Sequence, residues 1–132
     1  MIPRDTRYRL AASPADYRRC RAFLAARMDA HPLSFPTVYA EREGRIIGVL
    51  ATQPPKKAIV AGPLAVEGRS PFTALRLIEA YDHVMREAGI DGYHFHVAAG
   101  NEGWRKVIEQ MGLQPMQQTD QGAWYRRVLH AA

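Results

Sequence analysis

The stretch Gly62-Pro63-Leu64-Ala65-Val66-Glu67-Gly68-Arg69-Ser70-Pro71-Phe72 holds the residue types from which a binding site is most readily built. Its first half reads as the end of a strand and its second half as the start of a helix, with Ser70 at the N-cap and Pro71 at the first helical position. A helix that opens this way aims backbone N–H groups at the preceding loop, and its macrodipole favours negative charge there, which makes the stretch a ready anion site. Arg69 beside it suits a phosphate or open solvent equally. Further along, His94 and His96 alternate in a strand-like run and project to one face. Imidazole titrates near neutrality and can move protons; the alternative for both is to pack beneath a helix, hydrogen-bonded and inert.

The elements that must hold these groups are legible from periodicity and punctuation. Tyr8-Arg9-Leu10 suggests a short strand, and Ser13-Pro14-Ala15-Asp16 a helix start. Tyr17, Cys20, Phe23, Leu24 and Met28 then form one apolar helical face, with Cys20 a buried small hydrophobe. His31 to Pro36 reads as a loop. From Thr37 to Thr52 the chain reads as a hairpin turning at Glu43-Gly44, and a turn at Pro54 to Lys57 leads into a third strand, Ala58 to Val66. The helix from Pro71 carries Leu75, Ile78, Tyr81 and Met85 on one stripe and stops at Gly89. Tyr93 to Val97 is a strand that this crossover would lay parallel to the Ala58 strand. Asn101 caps a helix with Trp104, Val107, Ile108 and Met111, closed by Gly112. Gln114 to Gln118 and Ala123 to Leu129 form a closing hairpin around Asp120-Gln121-Gly122.

This order predicts one α+β domain over residues 1–132, with a central mixed, mostly antiparallel sheet flanked by helices and one parallel step between its fourth and fifth strands. At 132 residues, 47% hydrophobic and 23% charged, the chain is long enough to bury a core without disulfides or metal. The lone Cys20 excludes an internal disulfide and has no ligand-spaced neighbours for zinc, so no metal is expected. No apolar run reaches membrane-spanning length, and Met1-Ile2-Pro3-Arg4-Asp5 lacks the apolar core of a signal peptide, so a cytoplasmic location is expected. The net charge of +5 is local: residues 1–30 hold seven Arg against three Asp. That face could meet a polyanion, but a solvated arginine-rich helix surface is the expectation, and nucleic acid is not expected as a partner.

Over nearly its whole length the chain resembles the GNAT superfamily of acyl-CoA-dependent N-acyltransferases. Ala40-Glu41-Arg42-Glu43-Gly44-Arg45-Ile46-Ile47-Gly48 looks like that family's second and third strands. Gly62-Pro63-Leu64-Ala65-Val66 looks like the end of its fourth. Asn101 with Gly112-Leu113 matches the spacing of its Asn-x-x-Ala and later Gly-Phe. There are departures. The family's pyrophosphate loop, Gln/Arg-x-x-Gly-x-Gly/Ala, is replaced by the shorter Glu67-Gly68-Arg69-Ser70-Pro71-Phe72-Thr73-Ala74, without paired glycines. Ile108 stands where a tyrosine is common. Only His31 to Pro36 is available for the family's second helix, so a wall of the acceptor site is missing or comes from another chain, as in a homodimer.

The resemblance implies acetyl transfer from acetyl-CoA, as cosubstrate, to an amine: a protein N-terminus, a lysine or a small amine. It assigns cofactor contacts to Leu64, Ala65, Val66, Gly68, Arg69, Ser70, Phe72, Thr73 and Asn101, the last also serving as a helix cap. Backbone N–H groups near Leu64 to Val66 would meet the oxyanion. The amine, near pKa 10.4 in its free form, must shed a proton, whereas a thiol near 8.5 leaves as a thiolate that water protonates. The base candidates are His96, His94 and Glu41, with Tyr39 and Glu67 behind them. The alternative function is a catalytically degenerate GNAT-fold binding or structural assembly protein.

Overall fold

A computed structural model of the chain describes residues 5–29, 32–54 and 57–129. Strand β1 (Arg7–Leu10) leads into helix α1 (Pro14–Ala25), followed by strands β2 (Ser34–Arg42), β3 (Arg45–Thr52) and β4 (Ala61–Val66). A short 3-10 turn, Glu67–Arg69, joins β4 to helix α2 (Pro71–Glu87). Strand β5 (Gly92–Ala98), helix α3 (Glu102–Gln110) and strands β6 (Pro115–Thr119) and β7 (Gly122–Val128) complete the order. The helix starts follow from local chemistry. The Ser13 side chain accepts from the Asp16 amide and that of Ser70 from the Thr73 amide, each serine preceding a proline at the first helical position.

The element order agrees with expectation, but the strands do not join into one mixed sheet. Strands β1-β2-β3-β4 form one antiparallel sheet and β5-β7-β6 a second. The expected parallel step shrinks to an isolated bridge between Val60 and His94, with the His94 amide donating to the Ile59 carbonyl at 2.9 Å. Past this bridge the chain swings through Gly62, at φ 123, and β4 pairs only with β3. Two boundaries also move. β2 begins at Ser34, inside the segment expected to be a loop, because a register shift between Ser34 and Val38 admits Pro36 to the strand. Thr37 Oγ1 fastens that bulge by donating to the Ser34 carbonyl at 2.8 Å. β4 begins at Ala61 rather than Ala58. His31, and Pro55 and Lys56 of the expected turn, lie outside the described residues.

Helix α2 covers one face of the first sheet, packing Leu77, Tyr81 and Met85 against Val38, Ala40, Ile47 and Leu50. Its approach is close: a Cβ on Gly48 would lie 2.9 Å from Leu77 Cδ1, so only glycine fits there without repacking. Helix α1 covers the other face with Cys20, Phe23 and Leu24 against Tyr39, Val49 and Ala51. Buried on both sides, β2 and β3 read as continuous apolar runs rather than alternating ones. Cys20 is the buried small hydrophobe expected, and desolvation pushes its thiol up to about 12. Helix α3 packs Ile108 on Val97, Ala123 and Tyr125 of the second sheet.

Adjacent residues of α2 fasten the two sheets to each other. The Tyr81 hydroxyl shares a 2.6 Å hydrogen bond with Thr52 Oγ1 at the end of β3. Asp82, only 2% exposed, accepts from the Tyr93 hydroxyl of β5 at 2.6 Å and from Arg127 Nε of β7 at 2.8 Å. A buried carboxylate is tolerated when it is paired and hydrogen-bonded in this way.

Candidate functional site

Where β4 and β5 part, a cleft of about 1290 Å³ opens between the end of β4, the 3-10 turn and the first turns of α2 and α3. Leu64, Ala65, Val66, Gly68, Arg69, Ser70 and Asn101 all line it. Phe72 and Thr73 do not. Phe72 is 63% exposed, with the Arg76 guanidinium 5.1 Å from its ring centroid, and Thr73 is buried, its methyl facing Gly48 of the first sheet.

The helix start is a leaner anion site than the sequence implies. Pro71 has no N–H, the Thr73 amide is taken by Ser70 Oγ at 3.3 Å, and the Ala74 amide by the Ser70 carbonyl at 3.1 Å. Of these first-turn positions, Phe72 is left with an uncommitted amide among the described residues. Asn101 departs from expectation in the opposite direction. It occupies the N-cap position of α3 at φ −89 and ψ 63, but its side chain makes no cap bond, which leaves the amide group to the cleft it lines.

Cationic side chains flank the cleft. Arg69 stands in the left-handed region at φ 52, directly after Gly68 at φ 67, a conformation costly for a residue with a Cβ. An ion pair between Arg45 and Glu67 ties this turn to β3. Arg27, which the sequence shows only as one arginine among many near α1, lines the same cleft. Its guanidinium lies over the Phe23 ring, 3.6 Å from the centroid, and donates to the Phe23 carbonyl at 3.0 Å. The other arginines of this region divide between solvent and ion pairs: Arg18 and Arg21 are exposed, while Arg19 and Arg9 engage Glu41.

A second cavity of about 380 Å³ shares Leu64, Asn101 and Trp104 with the cleft. It runs through the gap between the sheets, with Met28 on the α1 side and Ile78 of α2 and Ile108 of α3 on the other. His96 lines it, its ring tilted against Trp124 with centroids 5.0 Å apart. His94 alternates to the same sheet face but lines neither space, and its Nδ1 is buried without a hydrogen-bond partner among the described residues. Glu41 also lies away from both, its carboxylate held by Arg19 at 2.7 Å and Arg9 at 3.6 Å. Of the three base candidates, then, His96 borders the cavity. Because β4 bonds only β3 among the described residues, the edge of Leu64 to Val66 that faces the gap carries no strand partner from them, and N–H donors can meet a ligand there. Ile108 is buried in the α3 contact and offers no hydroxyl. No group of three or more His, Cys, Asp or Glu among the described residues is placed to hold a metal ion, and no described helix is long and apolar enough to cross a membrane.

In sequence, no family model and no curated protein matches the chain. In structure the likeness is extensive. A GNAT-family acetyltransferase from Staphylococcus aureus Mu50 superposes with a TM-score of 0.74 at 10% identity, covering 95% of this chain and 99% of that one. Ard1 from Thermoplasma volcanium gives 0.70 at 13% identity, over 95% and 98%. One chain of the NatC complex bound to Gag peptide and CoA gives 0.69 at 18% identity, over 97% of this chain and 99% of that one. With α2 and α3 opening on a cleft where β4 and β5 part, and with full-length superposition on these enzymes, the chain has the fold of the GNAT N-acetyltransferases.

Proposed function

We propose that the protein is an N-acyltransferase that moves an acyl group, acetyl in the simplest case, from coenzyme A to an amine. The observation that carries this reading is the cleft: it lies at the ends of β4 and β5, is flanked by Arg27 and Arg69, and opens through the gap onto His96. Its residues fit a pyrophosphate-bearing thioester. Arg69 and Arg27 would hold phosphate oxygens, and the free edge of Leu64 to Val66 would take the pantetheine arm and the carbonyl oxygen. The bound thioester supplies the activated carbonyl. The amine nitrogen forms the new C–N bond as the C–S bond breaks; His96 takes the proton from nitrogen, and the departing thiolate is protonated by water. Without a hydroxyl at Ile108, solvent carries that last step, which a thiol pKa near 8.5 allows.

A second reading, a GNAT fold kept as a binding or assembly module, draws on Ile108 and on the amides already spent within the first turn of α2. Calorimetric titration with acetyl-CoA, followed by assay of free thiol release with peptides carrying an unblocked N-terminus or lysine and with a small polyamine, separates them. Binding with turnover supports the enzyme, binding without turnover on any acceptor supports the module, and absence of binding at millimolar ligand overturns acyl transfer.

A further inference from the structure

Resting on the acyltransferase reading, we infer that the second cavity is an acyl pocket and that the preferred donor carries a medium-length alkyl chain rather than acetyl. A partly open space of about 380 Å³ lies between β4, β5, α2 and α3, with Met28 at its edge. That is about thirteen times the ~30 Å³ a water occupies in the liquid, far more than an acetyl methyl fills. The walls on the inner side are Leu50, Ile78, Phe95, Ile108, Met111 and Leu113, all apolar. Leu64, Asn101 and Trp104 wall both this space and the donor cleft, which sets the two side by side, within reach of an acyl chain on a thioester held at the edge of Leu64 to Val66.

The polar groups of this cavity argue for an uncharged occupant. Arg127 lines it, but its Nε is bound to Asp82, which also takes the Tyr93 hydroxyl, so the nearest cation already has its counter-charge. Gln53, His96 and Asn101 also line the space, and Asn101 lines the cleft as well. An alkyl chain enters with its carbonyl held beside these groups and its methylenes against the aliphatic walls. Burying methylenes in such a site strengthens binding with each carbon added until the space is full.

The test is calorimetric titration of the full chain with CoA, acetyl-CoA, butyryl-CoA, octanoyl-CoA and succinyl-CoA, with transfer rates measured for the same donors. The expected result is affinity that climbs with alkyl length, octanoyl-CoA binding at least about tenfold more tightly than acetyl-CoA. Met111→Trp, checked for native circular dichroism, should pull the octanoyl-to-acetyl affinity ratio back toward one. Equal affinity for CoA and every thioester would overturn the acyl pocket while leaving the acyltransferase reading intact. Tightest binding of succinyl-CoA would overturn it in favour of a charged acyl group on Arg127. No binding of CoA or any thioester would remove the functional reading and this inference together.

Discussion

Arg127 Nε sits 2.8 Å from Asp82 Oδ2, across 45 residues of sequence, and this contact fastens α2 to the second sheet. Because Asp82 is buried and also accepts from Tyr93, removing the carboxylate leaves two donors without a partner. Asp82→Ala is expected to cost about 3 kcal/mol in urea unfolding. Arg127→Met, which keeps the bulk of the stem in a half-buried position, is expected to cost less. Equal and negligible losses would show that the contact does not hold the sheets.

Alkaline pH should destabilise the protein in two stages. The buried Cys20 thiol titrates at about 12 in the folded chain, above its unfolded value near 8.5. Its stabilisation is therefore complete below the unfolded value and is lost as pH rises toward 12, at about 1.4 kcal/mol per pH unit for the one proton. Burial also raises the Tyr93 and Tyr81 hydroxyls, which adds a second loss above the unfolded tyrosine value near 10. Denaturation curves from pH 7.5 to 11 should show this decline, and Cys20→Ala should flatten the part between about pH 8.5 and 10.

At Arg69, stability and binding should move in opposite directions. Its left-handed backbone costs about 1 kcal/mol that glycine does not incur. Arg69→Gly should therefore raise the unfolding free energy by about that amount. On the acyltransferase reading it should weaken CoA binding several-fold, because the guanidinium beside the cleft is gone. Arg69→Lys should restore part of the affinity and none of the stability.

His96 and Gly122 are linked by contact. A Cβ on Gly122 would collide with the Val97 carbonyl and lie 2.9 Å from the His96 ring, at φ 144. Gly122→Ala is expected to destabilise by about 2 kcal/mol or more and to displace His96. On the acyltransferase reading, His96→Gln should leave stability nearly unchanged while lowering kcat about 100-fold or more with the donor KM retained. A loss confined to KM would remove His96 from the role of base.

What the sequence disclosed was mostly local. Ser13-Pro14 and Ser70-Pro71 announce their helices because the cap bonds span three residues. The stripe Ile78, Tyr81, Met85 gave the buried face of α2 because helical spacing is itself a local rule. Asp82 stayed hidden: it reads as a polar residue beside the stripe, and its partners Tyr93 and Arg127 lie 11 and 45 residues away. The division into two sheets was hidden for the same reason, since pairing register between distant strands leaves no trace in either strand alone. At the site, the residues of the Leu64 to Ser70 stretch do line a cleft, whereas Phe72 and Thr73 turn away because the helix they begin rotates them off it. Arg27 was invisible among seven N-terminal arginines.

The bridge between Val60 and His94, the one isolated bridge among the described residues, bears on how the molecule comes apart as well as on where it opens. A four-stranded unit with α1 and α2, and a three-stranded unit with α3, meet through little backbone pairing, so their amides should exchange with solvent as two cooperative blocks of different protection. A ligand that spans the cleft touches both blocks. Its binding would then appear as a merging of the two exchange rates into one, the slower block lending its protection to the faster.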